Sequence, residues 1–150
     1  MKPIDASVLA LAALGICLLP GFASAHGQVG TLGSSATATD LYAVTCFTEA
    51  NLETHHLLAQ IKDDLPKRAP KVSLQIIRTD LATPVAASTT DNTDGDDNYS
   101  PDVQAAGGNG RYFVIVNKTA AGAENYTIQF HCQTADLKHT GTLVQTKQDQ

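Results

Sequence analysis

From Asp40 onward the polar and apolar residues alternate with a period of two, the signature of strands with one buried face. In Asp40–Phe47 the residues Tyr42, Val44 and Cys46 share a face. Residues 55–62 set Leu57, Ala59 and Ile61 against Leu58, Gln60 and Lys62. A helix over Leu52–Leu65 competes there, because Leu57, Ile61 and Leu65 stand four apart; the β character of the neighbouring segments favours a strand. Lys71–Arg78 places Val72, Leu74 and Ile76 inward, and residues 81–88 read as a weaker strand that Pro84 marks as a sheet edge or a bend. Thr89–Gly110 is rich in Asp, Asn, Gly and Ser and reads as a long loop, with a short strand within Tyr99–Gln104. The strongest β run is Arg111–Asn117, with Tyr112, Val114 and Val116 on one face. After a turn at Ala120–Gly122 comes Tyr126–Cys132, which aligns Tyr126, Ile128, Phe130 and Cys132. Short strands with turn chemistry between them predict an all-β fold, an antiparallel, jelly-roll-like β-sandwich.

The ends differ. Residues 26–39 are small and uncharged, and read as a flexible leader or a weakly held first strand, so the sandwich is predicted over 40–135. Residues 136–150 form a polar C-terminal tail expected to fray. Residues 1–25 read as a secretory signal peptide: Lys2, an apolar run from Val8 to Leu19, the Pro20-Gly21 break, then Ala23-Ser24-Ala25. That run is shorter than the roughly 20 residues a membrane span needs. A lipid anchor at Cys17 competes, but Ile16 is bulky where small residues are required. Cleavage after Ala25 makes His26 the first residue of a secreted or periplasmic product.

Cleavage removes Cys17 and leaves Cys46 and Cys132, an even number in an oxidising compartment, which predicts a disulfide. Each lies on the apolar face of its strand, so both side chains are expected in the core. Ten Lys and Arg against fifteen Asp and Glu give a net charge of −5, with no basic cluster larger than Lys67-Arg68. Nucleic acid, which needs concentrated positive charge, is therefore not the expected partner.

Four segments in order resemble the bacterial pre-peptidase C-terminal domain: Ala38–Tyr42, Ala86–Asp91, Gly107–Val116 and Asn125–Ile128. That resemblance spans Asp40–Cys132 and implies a jelly-roll-like sandwich of exported proteins, acting as a binding or solubilising accessory. Some family members bind calcium. Members usually accompany a catalytic partner and generally lack bridging cysteines, whereas this chain carries no such partner and has the cysteine pair.

Chemistry concentrates in Asp91–Asn98, where Asp91, Asp94, Asp96 and Asp97 surround Gly95. Ca²⁺ takes six to eight oxygens in flexible geometry, so these four are the candidate ligands, and calcium the candidate cofactor. A plain solvated acidic turn is the competing reading, and the spacing does not match an EF-hand. His26, once N-terminal, could chelate Cu(II) through its amine and imidazole, with a further nitrogen from His55, His56, His131 or His139. Alternation predicts that His55 and His56 face opposite ways and that His131 faces outward. No Gly-x-Ser-x-Gly, His-Glu-x-x-His or phosphate-cradling loop occurs, and Gly107-Gly108-Asn109-Gly110 precedes a strand, so no enzymatic activity is expected. The sequence thus predicts a non-catalytic binding or accessory protein for a protein or carbohydrate partner, with self-association through edge strands in reserve and metal binding as the alternative.

Overall fold

The computed structural model describes residues 26–150; the signal-peptide reading of 1–25 lies outside them. Nine strands are present among the described residues: β1 (His26–Leu32), β2 (Asp40–Phe47), β3 (His56–Asp64), β4 (Val72–Arg78), β5 (Val85–Thr90), β6 (Val103–Ala106), β7 (Gly110–Lys118), β8 (Glu124–Gln133) and β9 (Gly141–Gln148). They form two antiparallel sheets, ordered β1-β8-β3-β6 and β5-β4-β7-β2-β9. The inward residues of both sheets make one core. Leu57, Ala59, Ile61, Tyr126, Ile128 and Phe130 come from the first; Val44, Leu74, Ile76, Tyr112, Val114 and Val116 come from the second. At about 25 cal/mol per Å² of apolar surface, this shared burial is the main force holding the layers together.

The β-sandwich is as expected, and so are the strand at β3 and the edge position of β5. Both ends correct the sequence reading. β1 is no flexible leader: all seven of its residues pair with β8, from His26 opposite Phe130 to Leu32 opposite Glu124. Its small residues serve close approach, because a Cβ on Gly30 would lie 2.3 Å from the ring of Tyr126. The polar tail holds β9, which pairs with β2 and packs Val144 against the core. Backbone hydrogen bonds need no apolar side chain, so an edge strand can be mostly polar. The sandwich therefore extends beyond 40–135 in both directions. The short strand in the long loop lies at Val103–Ala106, slightly later than predicted.

Cys46 and Cys132 form a disulfide, their Cα atoms 5.5 Å apart and both side chains buried. It joins β2 of one sheet to β8 of the other. A second cross-sheet tie is polar. The Tyr126 hydroxyl donates to the fully buried Asp40 carboxylate and lies 2.6 Å from the Tyr42 hydroxyl. The other Asp40 oxygen accepts the Gln150 amide. Burial, together with the neighbouring Asp40 and Tyr42, holds the Tyr126 hydroxyl protonated far above its ordinary range. Tyr126→Phe is expected to cost about 2–3 kcal/mol in urea unfolding, since it strands one carboxylate oxygen in the core. A loss under 0.5 kcal/mol would show that water replaces the hydroxyl.

Candidate functional sites

Two places outside the apolar core gather polar groups. The first is an open groove of about 370 Å³ on the outer face of the five-stranded sheet. Thr45 and Arg111 are cross-strand neighbours on β2 and β7, and Phe113 follows Arg111 on the same face. Thr79 and Asp80, just after β4, close the lining. Arg78 sets this wall. It is 6% exposed, donates from Nη1 to the carbonyls of Gly107, Gly108 and Asn109, and lies over the Tyr112 ring. Its Nε bonds Asp80 at 2.7 Å, and that hydrogen bond holds the Asp80 carboxyl below its ordinary pKa. The groove thus offers an anion, a guanidinium, two hydroxyls and an aromatic ring. Phe113 is partly exposed, and Phe47 and Leu143 leave further apolar surface uncovered.

The second is a group of carboxylates at one end of the sandwich. The loop Asp91–Asn98 folds back onto the end of β3: Asp91 Oδ2 accepts the Asp63 amide at 2.8 Å, and the Gly95 amide donates to the Asp63 carbonyl. Gly95 has φ +62°, the left-handed conformation that glycine adopts readily. Asp91 Oδ1 caps the Thr93 amide, so both of its oxygens are engaged. Asp94 accepts the Arg68 amide through one oxygen and leaves the other buried and unpartnered. Asp96 binds Asn98 instead, whose hydrogen bonds hold its carboxyl below the usual range, and Asp97 is exposed. Of the four loop residues singled out from the sequence, Asp91 and Asp94 therefore face the sandwich and Asp96 and Asp97 do not.

Two acids that the loop composition did not reveal complete the group. Asp63 on β3 and Glu124 on β8 are fully buried. Asp63 Oδ1 and both carboxylate oxygens of Glu124 have no hydrogen-bond partner. Burial first, then the charge of Glu124, pushes the Asp63 carboxyl up to about 7, with Asp94 and Asp91 adding to the rise and the Val72 amide opposing it. Burial also raises Glu124; Arg68 opposes the shift, Asp94 adds to it, and Lys118 opposes it. Both cations have other partners: Arg68 donates to the Ala123 carbonyl and Lys118 to the carbonyls of Gly33 and Gly122. The signal was present in the sequence as phase. Asp63 falls in step with Leu57, Ala59 and Ile61, and Glu124 with Tyr126 and Ile128, so each is an acid on an inward position.

The histidines divide into two pairs and one exposed residue. The His131 and His139 rings meet edge to face with centroids 4.9 Å apart, and His131 Nδ1 is buried without a partner. Burial, then the charges of His139 and, more weakly, His26, holds the His131 imidazole below its usual pKa, while Asp102 opposes the shift. The His55 and His56 Nδ1 atoms lie 3.1 Å apart, contrary to the opposed orientation expected from alternation. His55 precedes β3, so strand geometry does not govern it. His26 is exposed at the start of β1. Among the described residues, no three His, Cys, Asp or Glu side chains already stand in coordinating geometry around one point. No helix among them is long and apolar enough to cross a membrane. No family model, curated protein or solved structure matches this chain.

Proposed function

We propose that this protein is an exported, non-catalytic β-sandwich that works by binding a protein or carbohydrate partner, in the manner of the accessory domains its strand motifs resemble. The disulfide is compatible with an oxidising, exported location. The observation that carries the binding reading is the groove over β2 and β7. There Phe113 supplies an apolar surface, while Thr45, Thr79, Asp80 and Arg111 supply donors and acceptors at its rim. Such a mixture of one aromatic platform and several directional polar groups suits a polyhydroxylated ligand or an extended peptide. Loops and strand ends held by Arg78 keep the lining fixed in advance, which lowers the ordering cost of binding.

Titration of the protein with a panel of neutral and acidic oligosaccharides, followed by amide chemical shifts, tests this. Binding is expected to move Thr45, Thr79, Arg111 and Phe113 together. Phe113→Ala is expected to weaken any such binding at least tenfold without lowering the melting temperature by more than a few degrees, because the ring is partly exposed. Shifts confined to another face would overturn the assignment of the groove. A panel of extended peptides run in the same way separates the two partner classes.

A further inference from the structure

We propose that Asp63, Asp94 and Glu124 form a Ca²⁺ site between the end of the sandwich and the loop that follows β5. This site is separate from the groove and does not depend on it. Four carboxylate oxygens are buried there without a hydrogen-bond partner: Asp63 Oδ1, Asp94 Oδ1, and Glu124 Oε1 and Oε2. Leaving charged oxygens dry and unpartnered is costly, and each needs either a proton or a cation. One proton can satisfy only part of this set, whereas a divalent ion held among the three acids would offset their charges together.

The donor chemistry selects the metal. Every unpartnered atom in the group is a carboxylate oxygen, and neither His nor Cys belongs to it, which favours a hard cation over zinc or copper. The three acids come from β3, β8 and a glycine-hinged loop, so the set is irregular and adjustable, as Ca²⁺ tolerates and Mg²⁺ does not. Gly95 lets the loop reach back to Asp63, and Asp91 fixes it there with both oxygens already committed. Asp91 is thus a positioning residue. The carboxylates must still turn toward one another to coordinate, and the repulsion between like charges resists that closure until a cation is present. Arg68 and Lys118 face Glu124, but each is spent on backbone carbonyls. Lys67 lies along Gly95, and Lys71 donates to the Asn92 carbonyl at the loop's outer side.

Calorimetric titration of the EDTA-treated protein with CaCl₂ at pH 8, paired with thermal melts, tests the proposal. Ca²⁺ at a hundredfold excess over its Kd is expected to raise the melting temperature by about 10 °C. Glu124→Gln and Asp63→Asn are expected to remove both the heat and the shift. Asp96→Asn and Asp97→Asn are expected to keep both. Should Glu124→Gln fail to fold, Asp63→Asn decides alone, since asparagine can still accept the Val72 amide. The proposal is overturned if the wild-type protein gives neither heat nor shift. It is equally overturned if Ca²⁺ binding survives Asp63→Asn and is lost in the Asp96 or Asp97 variants, which would place the ion in the outer loop.

Discussion

Replacing Cys46 and Cys132 together with Ala is expected to lower the free energy of unfolding by about 4–5 kcal/mol and the melting temperature by about 15–20 °C. The bridge spans 86 positions, so its loss returns a large loop-closure entropy to the unfolded chain. The native state suffers too. Both sulfurs sit in the core between the sheets, and the vacated space cannot close without moving β2 against β8. Denaturant unfolding of the double variant, compared with wild type before and after dithiothreitol, measures the effect. The reduced wild type and the variant are expected to melt together. A variant that melts within 3 °C of the oxidised protein would mean that hydrophobic burial alone holds the sheets in register.

Asp63→Asn is expected to stabilise the calcium-free protein at pH 8 and to do almost nothing at pH 4. The Asp63 carboxyl titrates at about 7 in the fold against an ordinary value near 3.8, so between those values the folded state binds the extra proton. Stability from this group is therefore complete below about pH 4, declines as pH rises toward 7, and is gone above it. The two endpoints bound the effect at roughly 4 kcal/mol, and the screening that accompanies real relaxation reduces it to about 2–3. Asparagine carries no charge at any of these pH values, keeps the acceptor for the Val72 amide, and no longer repels Glu124, Asp94 or Asp91. Urea unfolding of both proteins from pH 4 to 8 should give curves that meet at the acid end and diverge toward neutrality. Parallel curves would place the titrating proton on another group; Glu124 is the next to examine by Glu124→Gln.

These two expectations mark where the sequence was readable and where it was not. Period-two alternation identified β2, β3, β4, β7 and β8 because each buries one apolar face, and the same phase put both cysteines in the core. It missed β9, and left β1 as one of two alternatives, because the edge strands here bury little: Val29 is 78% exposed, and Leu143 and Val144 are the only large apolar residues of β9. An edge is specified by the backbone of its neighbour, which no side-chain pattern displays. The acidic loop was conspicuous by composition, yet only part of it turns inward. Asp96 satisfies itself locally through Asn98, and Asp97 faces solvent. Asp63 and Glu124 were hidden because each is a single acid inside an otherwise ordinary strand, and tertiary packing alone brings them together. The groove has the same character. Thr45 and Arg111 meet only through the pairing of β2 with β7, and Thr79-Asp80 joins them from the end of β4.

The pairing of β1 with β8 and of β2 with β9 also governs when the molecule can fold. A nascent chain delivers β1 and β2 first; β1 must wait for β8, and β2 first for β7 and then for β9. Neither layer can be finished before its late strand arrives, and the most local pairing, β4 with β5, contributes only an edge. Such high contact order makes slow, late assembly the rule. Under the export proposed above, such late closure would suit passage through a narrow translocation pore, with the Cys46–Cys132 bridge formed afterwards.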